Sequence, residues 1–223
     1  MKKLTAILLT CTVLLCAAAS CGSKKEKSDQ AEAKAETTAA AETTSEEENT
    51  ETETDDSSND YEAKRARALT DEKISDDVIK EIETETEKFA EITLKGDVDG
   101  LLGCLFPKKI ISALKDSGYA ETFEDAAALM EGSGELVGCK AENVQALSEE
   151  VLRGIEAYYE AFSQQLGVED CKLKAERGYF YSMTVELENE GQKDSSTEDT
   201  CIFYFKDEGW KVIPSDPADL IDD

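Results

Sequence analysis

The chain contains no histidine, and that absence limits what its side chains can do. Without an imidazole there is no Ser-His-Asp or Cys-His relay and no His-ligated zinc. Carboxylate, tyrosine, lysine and thiol chemistry remain. Acids are abundant, with 51 Asp and Glu against 24 Lys and Arg for a formal charge of −27, so two acids close in sequence carry little information. Asp97-Val98-Asp99-Gly100 has the opening spacing of a calcium loop, but Leu101, Leu102 and Leu105 follow where further oxygen ligands and a Glu at the twelfth position are required. A helix cap and turn is the better reading. No glycine-rich phosphate loop is present, and no residue pattern calls for a metal or a cofactor. Nucleic acid and anionic headgroups are poor partners for so acidic a chain, because both demand clustered Lys and Arg.

The aromatic residues are the more useful set. Most of them, Tyr159, Phe162, Phe180, Phe203 and Phe205 among them, are required as core by any helix-on-sheet packing. Tyr158, Tyr179, Tyr181, Tyr204 and Trp210 are candidates to line a ligand pocket on the concave face or rim of a sheet. The acidic end, Asp216, Asp219, Asp222 and Asp223, reads as a frayed terminus.

Seven cysteines are present, and Cys21 is set apart by what precedes it. Lys2 and Lys3 open the chain, an apolar run extends from Leu4 to about Ala19, and the small residues Ala17, Ala18, Ala19 and Ser20 lie directly before Cys21. A basic start, a short apolar stretch and a small-residue cleavage site mark a secretory signal. The run is short for a membrane span, which needs about 20 apolar residues. An ordinary signal peptide cut near Ala19 would release a soluble protein. The stretch Ala18-Ala19-Ser20-Cys21 resembles the lipobox of bacterial lipoproteins, with Ala18 where that pattern usually has Leu. The resemblance implies removal of a leader spanning 1–20 and diacylation of Cys21, with palmitate-type chains as the membrane anchor. It places the protein on the extracytoplasmic face of a bacterial cell membrane. Two chains suit stable anchoring, since one acyl chain holds a protein only marginally.

Cys11 and Cys16 would leave with the leader, so Cys104, Cys139, Cys171 and Cys201 remain for a compartment that permits disulfides. Three pairings of four cysteines stay open, and so does the absence of any bridge.

From 21 to 68 the chain is dominated by Ala, Glu, Thr and Ser. Such a stretch cannot bury enough apolar surface to offset its ordering entropy, and its like charges keep it extended. It reads as a disordered acidic tether that lifts a body away from the membrane. Residues 69–223 suit one domain with one core.

Within that domain Ser75 should cap a helix that ends at Gly96, with Val78, Ile82, Phe89 and either Ile92 or Thr93 near one face. Asp97 should cap a short helix through Leu105, stopped by Pro107. Ile110, Ile111 and Leu114 suggest a further helix closed by Gly118, and Phe123 to Met130 another. Leu136 to Ala146 reads as a strand. Ser148 should cap a helix through Leu152, Ile155, Tyr159, Phe162 and Leu166 that stops at Gly167.

The period then changes from 3.6 to 2. Tyr179, Tyr181, Met183, Val185 and Leu187 share one face of a strand, with Phe180, Ser182, Thr184, Glu186 and Glu188 on the other. A strand over Cys171–Glu176 is expected before it, across a turn at Arg177-Gly178. Thr200–Lys206 and Trp210–Ile213 should follow as a hairpin. Helices first and an antiparallel meander after them means α+β. In such a meander Cys171 and Cys201 occupy next-but-one strands, about 9.5 Å apart. That is beyond the roughly 7 Å a disulfide tolerates between Cα atoms, so that bond is not expected.

The segments FAEITLKGDVDGLLGCLFP, LSEEVLRGIEAYYEAF and FYFKDEGWKVI give the domain a resemblance, over 75–214, to the nuclear-transport-factor-2-like fold as it occurs in small bacterial lipoproteins. The resemblance implies N-terminal helices packed on a curved antiparallel sheet that closes into a cone; a cystatin-like sheet on one helix is the alternative. Enzymes on that fold commonly use an Asp–His pair that this chain cannot supply. Three functional expectations follow. The first is a non-catalytic domain that binds a small molecule, peptide or protein. The second is a carboxylate and tyrosine acid–base enzyme in the sheet cleft. The third is a structural subunit of the envelope.

Overall fold

The computed structural model describes residues 56–128 and 133–221. The leader 1–20, the lipidation candidate Cys21 and the tether as far as residue 55 lie outside the described residues. So do the expected end of a helix at Met130 and the last two residues, Asp222 and Asp223.

The chain is α+β. Five helices come first: α1 (Asp56–Ala68), α2 (Asp76–Leu94), α3 (Val98–Leu105), α4 (Lys108–Asp116) and α5 (Glu121–Ala128). Strand β1 (Glu135–Ala146), helix α6 (Glu149–Gln165), strands β2 (Ala175–Asn189), β3 (Gln192–Phe205) and β4 (Gly209–Ile213), and a 3₁₀ turn (Pro217–Leu220) complete it. The strands form one antiparallel sheet in the order β1-β2-β3-β4.

The caps follow local chemistry. The Ser75 hydroxyl accepts the Val78 N–H, with Asp76 and Asp77 in the first turn. The Asp97 carboxylate accepts the Gly100 N–H at 3.0 Å and starts α3. Ser148 takes the N-cap position of α6 with extended backbone, but its hydroxyl makes no cap bond.

Three expectations are corrected. Residues 56–68, expected within the tether, form α1, and Ala68 is fully buried. The reason is tertiary: Arg65 lies over the Phe180 ring at 5.2 Å and reaches Asp216 at 3.6 Å, contacts that composition cannot reveal. No separate strand covers Cys171–Glu176 and no turn occurs at Arg177-Gly178. Instead β2 begins at Ala175 and passes through Arg177 with a register shift that absorbs the irregularity. Cys171 precedes the strand, so the spacing argument about Cys171 and Cys201 loses its premise; all four described cysteines are free thiols. The acidic end is ordered through Ile221, with Asp216 capping the 3₁₀ turn by accepting the Ala218 N–H.

The β2–β3 hairpin is longer than the apolar pattern suggests. In its outer half, Ser195 to Asp199 against Ser182 to Glu186, the β3 side is polar and one face is held by cross-strand pairs, including Ser182 to Asp199 and Thr184 to Thr197, each at 2.8 Å. The strand alternation holds. Tyr181 faces α2, where its hydroxyl meets that of Thr86 at 2.8 Å, while its neighbour Phe180 faces α1. Helix α6 lies on the α1 side, where Leu152 approaches Gly178. Helices therefore cover both faces of the sheet.

Candidate functional site

Helix α2 fills the face on which a ligand pocket was expected. Tyr181 is 0% exposed and bonded to Thr86, so it belongs to the core and cannot reach a ligand. Tyr158 sits on α6, away from the sheet rim, in a chain of rings with Phe162 (6.1 Å, stacked) and Tyr159 (5.4 Å). The physical reason for both placements is the same: an open concave face would leave a row of large apolar side chains in water, and α2 and α6 remove them from it.

Tyr179, Tyr204 and Trp210 do come together. Arg177, Tyr204 and Trp210 are direct cross-strand neighbours on β2, β3 and β4. The Arg177 guanidinium lies 4.9 Å from the ring centres of both Tyr204 and Trp210, and Tyr179 closes the group 6.1 Å from Trp210. Glu81 of α2 braces it, accepting two bonds from Arg177 at 3.0 and 3.1 Å and one from the Trp210 indole N–H at 3.1 Å. Neither Arg177 nor Glu81 stands out in the sequence. A signal for Arg177 existed, since it precedes Tyr179 by two and so shares its strand face.

Trp210 is also a wall of a cleft of about 390 Å³ at the β4 edge of the sheet. Helix α2 contributes Glu85, Lys88 and Ile92; α3 contributes Gly103 and Cys104; Phe106, Lys108 and Ile111 follow from the start of α4; and Glu208, Lys211 and Val212 come from the β3–β4 hairpin. Lys211 is the unusual member. It is only 5% exposed, and its ammonium donates to the carbonyls of Gly103 at 3.0 Å and Glu208 at 2.9 Å. Burial pulls its pKa below the ordinary lysine value, opposed by the Glu208 charge. Burial likewise raises the Cys104 thiol, opposed by Lys88 and Lys211.

Two further depressions, of about 300 and 480 Å³, flank Cys171, one bounded by Pro107, Lys109 and Phe205, the other by Glu160 and Gln164. Neither is lined by a buried charge. Asp97 and Asp99 do not form an ion site: the first is the α3 cap and the second pairs with Lys115 at 2.6 Å. Among the described residues no cluster of Cys, Asp and Glu is placed to hold a metal ion, and no helix is long and apolar enough to cross a membrane.

Comparison with protein-family models, with curated proteins and with solved structures returned no match.

Proposed function

We propose that this protein is a lipid-anchored extracytoplasmic lipoprotein of the bacterial cell envelope whose body is a non-catalytic binding module. Cys21 is the anchor, and the acidic stretch after it is the spacer. The body takes a small ligand at the β4-edge cleft. The observation that carries this reading is the fixed Trp210 wall: an indole held by Glu81, Arg177, Tyr179 and Tyr204 beside a cleft of about 390 Å³. A ring so braced loses little conformational freedom on contact with a ligand, which is how preorganised aromatic sites gain affinity.

The meander order, with α2 laid across one face, supports kinship with the nuclear-transport-factor-2-like fold, and the binding site proposed lies at the edge of the sheet instead of inside a cone. The acid–base enzyme reading has less support. Among the described residues no Asp or Glu is buried, so none has the dry setting that raises a carboxylate pKa for catalysis.

The test has two parts. Palmitate incorporation should be abolished by Cys21→Ala, with release of the chain from the membrane fraction. In a screen of chemically diverse small molecules, those that raise the melting temperature should also shift the Trp210 emission, because Trp210 is the single tryptophan. Stabilising ligands that leave that emission unchanged would move the site elsewhere.

A further inference from the structure

We propose that the β4-edge cleft selects a small monoanion on an apolar frame, such as a carboxylate on a short alicyclic body, and that Lys211 grips the anion. This inference rests on the binding reading above and names the ligand class of the same cleft.

Lys211 is the one buried charged side chain among the described residues. An ammonium has three N–H donors, and two are spent on the Gly103 and Glu208 carbonyls. No carboxylate among the described residues lies within ion-pair distance of it; the acids that line the cleft are engaged elsewhere. The Glu208 carboxylate accepts the Lys108 backbone N–H at 3.1 Å, and Glu85 pairs with Lys88 at 3.3 Å. A buried cation bonded to carbonyl dipoles, with the Glu208 charge beyond ion-pair distance, is costly, because that charge offsets only part of its lost hydration. An anion at the third donor removes that imbalance.

The rest of the cleft sets the frame and the charge of the ligand. Ile92, Phe106, Ile111 and Val212 supply apolar lining beside the Trp210 ring. Lys88 and Lys108 also line the cleft, balanced in number by Glu85 and Glu208, so Lys211 gives the lining its net positive charge. The formal charge of −27 on the whole chain repels polyanions at long range, so a small monoanion is the species that can approach.

The test uses the full chain and three probes of one shape: cyclohexanecarboxylate, cyclohexanemethanol and cyclohexanemethylamine. None absorbs near the indole band, so Trp210 emission and calorimetry read binding directly. The carboxylate should bind saturably and shift the emission. Lys211→Met should weaken it by about 10- to 100-fold, as expected when one charge-assisted hydrogen bond is lost. The double variant Lys88→Gln with Lys108→Gln changes only exposed positions, and should weaken it by a smaller factor with an unchanged circular dichroism spectrum. It keeps the test decisive if Lys211→Met fails to fold. Binding of the alcohol or the amine without the carboxylate would overturn the anion inference and leave the cleft reading standing. Carboxylate binding unaffected by these variants would also overturn it. Silence from all three probes would count against both.

Discussion

Replacing Gly154 with alanine sets two forces against each other with opposite signs. Gly154 lies in the interior of α6, where alanine favours a helix over glycine by about 1 kcal/mol. The fold opposes that gain, because a Cβ on Gly154 would sit 1.8 Å from the Leu220 carbonyl oxygen and 2.9 Å from its carbon. Both are backbone atoms, so the 3₁₀ turn has to move away from α6. That movement loosens the buried Ile221 and the Asp216 cap on Ala218. Burial of an Ile side chain stabilises by about 1.5–3 kcal/mol and a cap by about 1 kcal/mol. The net expectation for Gly154→Ala is a loss of about 1.5–3 kcal/mol, or roughly 3–12 °C in melting temperature for a domain of this size. Thermal unfolding followed by circular dichroism measures it. Gly103→Ala is the control, since nothing lies within 4 Å of a Cβ there; it should leave the melting temperature equal or raised. In a chain ending at Ser215 the Gly154→Ala penalty should vanish and the helix gain should appear, as a double-mutant cycle requires of a specific contact. An unchanged or raised melting temperature for Gly154→Ala in the intact chain would refute the packing of the C-terminal turn on α6.

Alkaline pH should destabilise the fold. Burial holds the Tyr159 and Tyr181 hydroxyls and the Cys201 thiol protonated above their ordinary pKa values. Their contribution is complete below the unfolded values, about 8.5 for thiol and about 10 for phenol, and is lost as pH climbs through the raised folded values. Lys211, lowered in the folded state, acts in the opposite direction but is one group; a urea midpoint that rises between pH 8 and 11 would reverse the sign assigned here. In a chain carrying Cys11→Ser, Cys16→Ser and Cys21→Ser, a thiol reagent at pH 8 should modify the half-buried Cys104 and Cys139 before Cys171 and Cys201, which should react only on unfolding. Equal rates at all four would contradict the burial pattern. Glu81→Gln should remove the charge that braces Arg177, at a cost of about 0.2–1 kcal/mol for a half-exposed pair, and broaden the Trp210 emission; an unaltered spectrum would show that the brace does not order the ring.

The parts of this architecture that were legible in the sequence are those set by local chemistry. Ser75 and Asp97 announce their helices because a short polar side chain before an apolar run has a backbone N–H to accept. The alternation from Tyr179 to Leu187 announces β2 because one face of a strand is dry. What stayed hidden was decided by distant partners. Helix α1 has the composition of a tether and is held by distant partners, Phe180 and Asp216 at Arg65, Glu150 at Arg67, and the Ser148 N–H at the buried Ala68. The β3 side of the outer hairpin, Ser195 to Asp199, carries no apolar signal and is held to β2 by cross-strand polar pairs. Of the aromatic ligand candidates, Tyr179, Tyr204 and Trp210 come together at the sheet rim, whereas Tyr181 is buried because α2 lies over it. Lys211 carries no signal in the sequence, because a lysine between Trp210 and Val212 reads as the exposed alternate of an edge strand. The Gly103 carbonyl, brought from α3, together with the Glu208 carbonyl of the same hairpin, shows that it points inward.

The most direct measurement of the central claim is a map of backbone amide and indole resonance changes as cyclohexanecarboxylate is added to the isotope-labelled chain. The lone indole N–H of Trp210 gives one identifiable signal. The account predicts that this signal, with the amides of Gly103, Cys104 and Lys211, moves first and furthest. Changes confined to the outer strand β1, or to the depressions beside Cys171, would contradict it.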